Sequence, residues 1–202
     1  MDVLCFDYRL APEHPYPAAA EDAMKAWNYL MLLGYGARDV IITGDSAGGN
    51  LALSLVLKIK EQERLLPRGI VLMSPWTDLT GEGKTFQTKA ELDPVLDKEY
   101  IDRMTRAYAP DRDLTDPYIS PLFGDFRGFP PMLIQVGSIE MLLSDSVSVA
   151  AKAREQGVKV RLSVYEGMFH VFQMAYLNIP ESKKAWAEAG KFIDVLRTDS
   201  RL

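Results

Sequence analysis

Ser46 lies in the segment G-D-S-A-G at positions 44–48, which follows a β-branched apolar run and precedes a helical pattern. A serine hydroxyl is a poor nucleophile unless a base can reach it, and a tight strand-to-helix turn exposes the hydroxyl to such a base. Gly44 and Gly48 lack a Cβ, so we expect both to let the strand and the helix approach closely. The G-x-S-x-G spacing in this context predicts a nucleophilic serine, and a serine that only caps the helix is the alternative.

A histidine and a carboxylate follow later strand-like runs of the sequence. Glu140 follows the strand-like run at 132–136, and His170 follows the last strand-like run, at 158–164. Active residues of a doubly wound sheet gather at the carboxyl ends of its strands, so both loops can meet the turn that carries Ser46. The chain order serine, acid, histidine is that of the α/β hydrolases. The second histidine of the chain, His14, lies in a proline-rich loop and is the weaker candidate for a base.

The elements that must hold these residues alternate between strand and helix. We predict strands at 3–6, 40–43, 69–73, 132–136 and 158–164, helices at 18–33, 48–62, 98–108, 144–156 and 181–196, and irregular chain at 76–94. This alternation predicts an α/β fold in a single domain of residues 1–202, with a mostly parallel sheet covered by helices on both faces. The apolar run at 3–6 predicts a buried first strand in which Cys5 is a small core residue.

Composition narrows the classes of function. The 202 residues are 48% hydrophobic and 25% charged, as in an ordinary globular domain, and the net charge of −5 argues against nucleic acid or an anionic membrane as the main partner. With one cysteine, no secretion-signal pattern and no membrane-spanning stretch, the expected location is cytoplasmic. The histidine and cysteine counts indicate no metal cluster and the glycine-rich turn lacks a P-loop lysine, so we expect no cofactor.

Five motifs, in this order, resemble the bacterial hormone-sensitive-lipase family of carboxylesterases in the α/β-hydrolase superfamily. They are Y-R-L-A-P-E-H-P-Y-P-A-A-A-E-D (8–22), G-D-S-A-G-G-N (44–50), S-P-W-T-D-L (74–79), D-P-Y-I-S-P-L (116–122) and Y-E-G-M-F-H-V-F (165–172). The resemblance implies an α/β-hydrolase fold and hydrolysis of short-chain, small-molecule carboxylic esters. It further implies that Ser46 is the nucleophile, His170 the general base and the backbone N–H of Ala47 an oxyanion donor.

The sequence departs from that family in two places. The family's H-G-G-G segment, which completes the oxyanion hole, does not precede the first motif, so we expect the C-terminal portion of a longer esterase without its cap and first strands. Loss of one oxyanion donor costs on the order of 10²–10³ in turnover. Ile139 occupies the position of the family's aspartate, which leaves the adjacent Glu140 as the preferred acid and Asp145 as the alternative acid or a helix cap. That the chain has no functional acid is the third alternative.

Other interpretations remain open at this stage. An inactive remnant, or a ligand-binding protein similar to the plant gibberellin receptors, fits the same fold, although such receptors lose the histidine that His170 matches. A serine peptidase of the prolyl-oligopeptidase type also uses G-x-S-x-G-G. The alternating strand from Val158 to Val164 predicts a sheet edge, with Lys159 and Arg161 facing solvent, and by resemblance two copies form a homodimer through it.

Overall fold

The computed structural model describes residues 1–175 and 178–198. That part of the chain forms one sheet of parallel strands in the order β1-β2-β3-β4. The strands are β1 (Ile41–Asp45), β2 (Gly69–Met73), β3 (Met132–Gly137) and β4 (Val160–Tyr165). The α-helices are α1 (Ala18–Leu32), α2 (Ala47–Glu61), α3 (Lys84–Thr88), α4 (Lys98–Tyr108), α5 (Leu143–Glu155) and α6 (Pro180–Thr198).

The two central strands are buried on both faces, as their unbroken apolar runs require. In β2, Ile70 and Leu72 pack into a core that α2 and α5 share, while Val71 and Met73 pack toward α6 on the opposite face. Every residue of β2 and β3 is buried. The structure therefore confirms the expected α/β fold with helices on both faces of a parallel sheet.

The predicted first strand is absent from the structure. Residues 1–10 have no regular secondary structure, Val3 is 77% exposed, and Cys5 is exposed instead of lying in a core. The predictions of a strand at 3–6 and of a buried Cys5 are both wrong, for a physical reason. A strand needs a neighbour for its backbone N–H and C=O groups, and among the described residues β1 pairs only with β2. An apolar run without such a neighbour does not form a strand.

Two further differences concern the ends and connections of elements. The short helix α3 lies inside the segment 76–94 that the sequence predicted to be irregular. Strand β4 begins at Val160, two residues later than predicted, and pairs with β3 alone among the described strands, so it lies at one edge of the sheet.

No helix of the described residues is both long enough and apolar enough to cross a membrane.

Candidate active site

The turn between β1 and α2 holds Ser46 in an unusual backbone conformation, with φ of 50° and ψ of −120°. Such a φ is uncommon for a residue with a Cβ and costs on the order of 1–3 kcal/mol, so the surroundings must impose it. The N–H of Ser46 donates to the carbonyl oxygen of Met73 at 3.0 Å, and its own carbonyl oxygen accepts the N–H of Trp76 at 3.1 Å. The last residue of β2 and the segment that follows it therefore hold the N–H and the carbonyl oxygen of Ser46.

Two glycines make this turn possible, and only one of them is a glycine that the motif spacing predicts. A Cβ on Gly44 would lie 2.2 Å from the carbonyl oxygen of Gly48, so no other residue fits at position 44. A Cβ on Gly48 would meet nothing within 4 Å, so the prediction that the strand and the helix need a glycine at position 48 to approach closely is wrong. The second restricted position is Gly49, where a Cβ would lie 2.7 Å from the side chain of Pro75.

His170, in the loop after β4, joins the serine to a carboxylate through two hydrogen bonds. Its Nε2 lies 2.9 Å from Ser46 Oγ, and its Nδ1 lies 2.9 Å from Glu140 Oε2. A carboxylate only accepts, so Nδ1 carries the hydrogen toward Glu140 and Nε2 is left to accept the serine hydroxyl proton. His170 is 7% exposed, whereas His14, the other histidine, is exposed in its loop.

Glu140 is fully buried, and donors satisfy both of its carboxylate oxygens. Besides the contact with His170, Oε1 accepts the hydroxyl of Ser74 at 2.8 Å and the N–H of Gly137 at 2.5 Å. A buried carboxylate is tolerated only when such partners replace water. The side chain therefore has a fixed orientation, with Oε2 directed at the imidazole.

Asp145, the other carboxylate that the sequence left open, lies elsewhere. It stands in the first turn of α5, and its Oδ2 accepts the backbone N–H of Thr77 at 2.7 Å and that of Asp78 at 2.9 Å. Burial raises the pKa of Asp145 to about 7, against the opposing effect of these two N–H donors. The structure thus brings Glu140 to His170 and uses Asp145 to hold the loop after β2; Asp145 does not cap its own helix.

The sequence did not indicate two residues that contact Glu140 or the residue next to it. Ser74 lies in the S-P-W-T-D-L motif, which marks this segment as part of the family pattern but does not indicate that Ser74 contacts Glu140. Asp93 had only the turn signal of an Asp-Pro pair, yet its Oδ2 accepts the N–H of Met141 at 2.8 Å, directly beside Glu140. Both contacts join segments 48 or more residues apart, which a local pattern does not reveal.

Helix α2 begins at Ala47, so the N–H of this residue has no partner within the helix and belongs to the positive end of the helix dipole. That end lies beside Ser46, where an oxyanion would form during attack on a carbonyl. Among residues 1–175 and 178–198, no group of three or more histidine, cysteine or acidic side chains is arranged to hold a metal ion. The groups that meet at Ser46 are its own hydroxyl, the His170 imidazole, the Glu140 carboxylate beyond it and the backbone N–H at the start of α2.

Comparison with known proteins agrees with the fold. A family model described as the alpha/beta hydrolase fold matches residues 1–174. The chain belongs to this family. It is 42% identical over 201 residues to the esterase of Acinetobacter venetianus, a match that covers 98% of this chain and 66% of that protein. It is 37% identical to an acetyl-hydrolase of Streptomyces hygroscopicus, over 95% of this chain and 64% of that protein.

The solved structures place the chain more narrowly within this α/β-hydrolase family. A crystal structure of an esterase from the bacterial hormone-sensitive lipase family matches with a TM-score of 0.90 and 39% identity, covering 92% of this chain and 63% of the other. The resemblance stated from the five motifs is confirmed. This α/β hydrolase spans slightly less than two thirds of the length of these relatives.

Proposed function

We propose that this protein hydrolyses carboxylic esters of short acyl chains, with Ser46 as nucleophile, His170 as general base and Glu140 as the acid. The observation that carries the proposal is the continuous pair of hydrogen bonds, each 2.9 Å long, from Glu140 through His170 to Ser46. The names of the relatives, an esterase and an acetyl-hydrolase, support an ester with a small acyl group as the substrate class.

The proposed reaction is acyl transfer in two steps. His170 Nε2 takes the hydroxyl proton of Ser46 as Oγ attacks the ester carbonyl carbon, and Glu140 stabilises the imidazolium that forms. The N–H of Ala47 donates to the developing oxyanion. His170 then protonates the departing alcohol, and water, activated by the same imidazole, releases the acid from Ser46.

Two features favour catalysis over a ligand-binding role or an inactive remnant. A binding protein has no need of a strained serine, yet Ser46 keeps a φ of 50°. It also has no need of a buried carboxylate aimed at an imidazole, and burying such a charge is costly without a use for it. A serine peptidase of the prolyl-oligopeptidase type shares the same chemistry, so ester and peptide substrates must be compared directly.

The two histidines offer a matched test of the proposal. We expect Ser46→Ala and His170→Ala to abolish hydrolysis of p-nitrophenyl acetate, and Ser46→Ala to abolish labelling by a fluorophosphonate probe. His14→Ala, which changes the exposed histidine, should leave both unchanged. Undiminished ester hydrolysis in Ser46→Ala, or hydrolysis of peptides but not esters by the parent protein, would refute the proposal.

We also propose that two copies form a homodimer through β4. The strand lies at the edge of the described sheet, and the side chain of Val164 is 47% exposed on it. Arg161 is exposed, as expected, and forms an ion pair with Glu188 of α6 at 2.6 Å. An edge strand with unpaired backbone groups is a template for pairing with another strand.

A further inference from the structure

Ser74 follows β2 directly, is fully buried, and has a positive φ of 47°. Its hydroxyl donates to Glu140 Oε1 at 2.8 Å and accepts the N–H of Val171 at 3.1 Å. We infer that Ser74 is a positioning residue that couples the acid to the base, because one hydroxyl fixes both the carboxylate of Glu140 and the backbone that follows His170. The inference rests on the proposed function and adds a fourth side chain to it.

The backbone on both sides of this contact is strained. Val171 has a φ of 51°, which is rare for a β-branched residue, and Ser74 lies in the same left-handed region. Strained residues persist only where their surroundings over-determine them. The hydrogen bond from the Val171 N–H to the Ser74 hydroxyl is one such restraint, and it acts on the peptide unit that joins Val171 to His170.

The segment that carries Ser74 also contacts the other loops of the site through its backbone. The N–H of Ser74 donates to the carbonyl oxygen of Gln135 at 2.7 Å, which extends the pairing of β2 with β3. On either side of Ser74, Met73 and Trp76 hold the backbone of Ser46. These backbone bonds survive a side-chain substitution, so removing the Ser74 hydroxyl tests the link between acid and base while leaving the loop itself attached.

The Ser74 hydroxyl makes both hydrogen bonds at the same time. The single O–H donates to the carboxylate, which leaves a lone pair for the N–H of Val171. The donated hydrogen stabilises the Glu140 anion most when the imidazole is neutral, since the carboxylate then has no cation beside it. Without this donor, the Glu140 carboxylate loses a hydrogen bond that favours its charged form, while its contacts with Gly137 and His170 remain.

Ser74→Ala tests the inference, and Ser146→Ala is its matched control. Ser146 is another fully buried serine, in α5, and its hydroxyl has no hydrogen-bond partner in the described part of the chain. In Ser74→Ala we expect kcat for p-nitrophenyl acetate to fall about tenfold, since hydrogen bonds to charged groups are stronger than neutral ones. KM should stay nearly constant, and the acidic limb of the pH–rate profile should move to higher pH. Ser146→Ala should change none of these.

Ser74→Cys supplies the second variant, because a thiol keeps a weak donor and a weak acceptor at the same place. We expect its kcat and its pH profile to lie between those of the parent and Ser74→Ala; if the alanine variant does not fold, the cysteine variant alone decides. An unchanged pH profile in the folded variants would overturn the inference, whatever the change in kcat. Ser46→Ala in the same assay separates the two failures: if it stays active, the proposed function fails and the inference fails with it, whereas an inactive Ser46→Ala beside a Ser74→Ala of parental behaviour overturns the inference alone.

Discussion

Replacing Glu140 by glutamine changes one atom and should remove nearly all activity. Glu140 Oε1 accepts the N–H of Gly137 at 2.5 Å and the hydroxyl of Ser74 at 2.8 Å, while Oε2 accepts from His170 Nδ1 at 2.9 Å. The backbone N–H of Gly137 cannot turn away, so the amide oxygen of a glutamine must occupy the Oε1 position. Its NH₂ group then faces Nδ1.

An NH₂ group only donates, so it selects the tautomer of His170 in which Nδ1 accepts and Nε2 carries the hydrogen. In that tautomer Nε2 cannot take the hydroxyl proton of Ser46, although every side chain keeps its place. A triad with the wrong tautomer loses on the order of 10⁴ in kcat, which corresponds to about 5 kcal/mol of transition-state stabilisation. We therefore expect Glu140→Gln to lower kcat for p-nitrophenyl acetate by that factor.

The matched control is Asp145→Asn, a second exchange of a buried carboxylate for an amide. The acceptor of the Thr77 and Asp78 N–H groups is a single oxygen, Asp145 Oδ2, so an amide oxygen can replace it. Turnover should stay close to that of the parent, because Asp145 bonds to the backbone of Thr77 and Asp78 and not to the side chains of the site. If Asp145→Asn is the damaging exchange and Glu140→Gln keeps its turnover, the assignment of the acid is wrong.

Three further predictions follow from the described contacts. Ile139→Asp should not raise kcat, because Glu140 already bonds to the imidazole at 2.9 Å; a gain would show that Glu140 is an imperfect acid. Asp145, whose pKa rises from 3.8 to about 7, contributes stability below pH 3.8 that is lost as the pH passes 7. Urea unfolding should show Asp145→Asn gaining stability over the parent between pH 4 and pH 8, by up to roughly 4 kcal/mol; a difference independent of pH would contradict this. Sedimentation at micromolar concentration should show a dimer that Val164→Lys converts to monomer, whereas a monomeric parent would argue against the β4 interface.

The strand–turn–helix that holds Ser46 could be predicted from sequence because its constraints are local. Gly44, the serine and the helix that follows are within a few residues of one another, and the contact of Gly44 with Gly48 leaves no room for any side chain. The place of His170 beside Ser46 was predictable for a different reason: the chain offers two histidines, His14 lies in a proline-rich loop, and His170 follows the late strand β4. In both cases the order of elements along the chain carried the information.

Which carboxylate lies beside His170 could not be chosen from sequence alone, since Glu140 and Asp145 both follow β3 closely. Their separation depends on where each side chain points after the loop has turned. Glu140 points into the site, where the hydroxyl of Ser74, 66 residues away in the chain, donates to its carboxylate. Asp145 points to the loop after β2. The failed strand at 3–6 has the same origin, because an apolar run shows that a segment avoids water but does not show which strand pairs with it.

The loops that carry Glu140 and His170 form one hydrogen-bonded unit, which brings a glutamate at the position after Ile139 to the imidazole. The N–H of Ser138 donates to the Tyr165 carbonyl at 2.9 Å, and that of Ile139 donates to the Met168 carbonyl at 3.2 Å. Gly137 permits this approach, since a Cβ there would lie 2.1 Å from the Met168 oxygen. With the two backbones joined in this way, the distance from Cα to imidazole is fixed at each position.

The N–H of Ile139 makes the hydrogen bond to Met168 that joins the two loops, and the apolar side chain of Ile139 is only partly buried. Position 140 follows at the turn into α5, where the Gly137 N–H lies within reach of a side chain three residues later. A glutamate has the extra methylene needed to present one oxygen to that N–H and the other to His170. The change of residue type and the change of position therefore compensate for each other, and the pairing of the two loops is what makes the exchange possible.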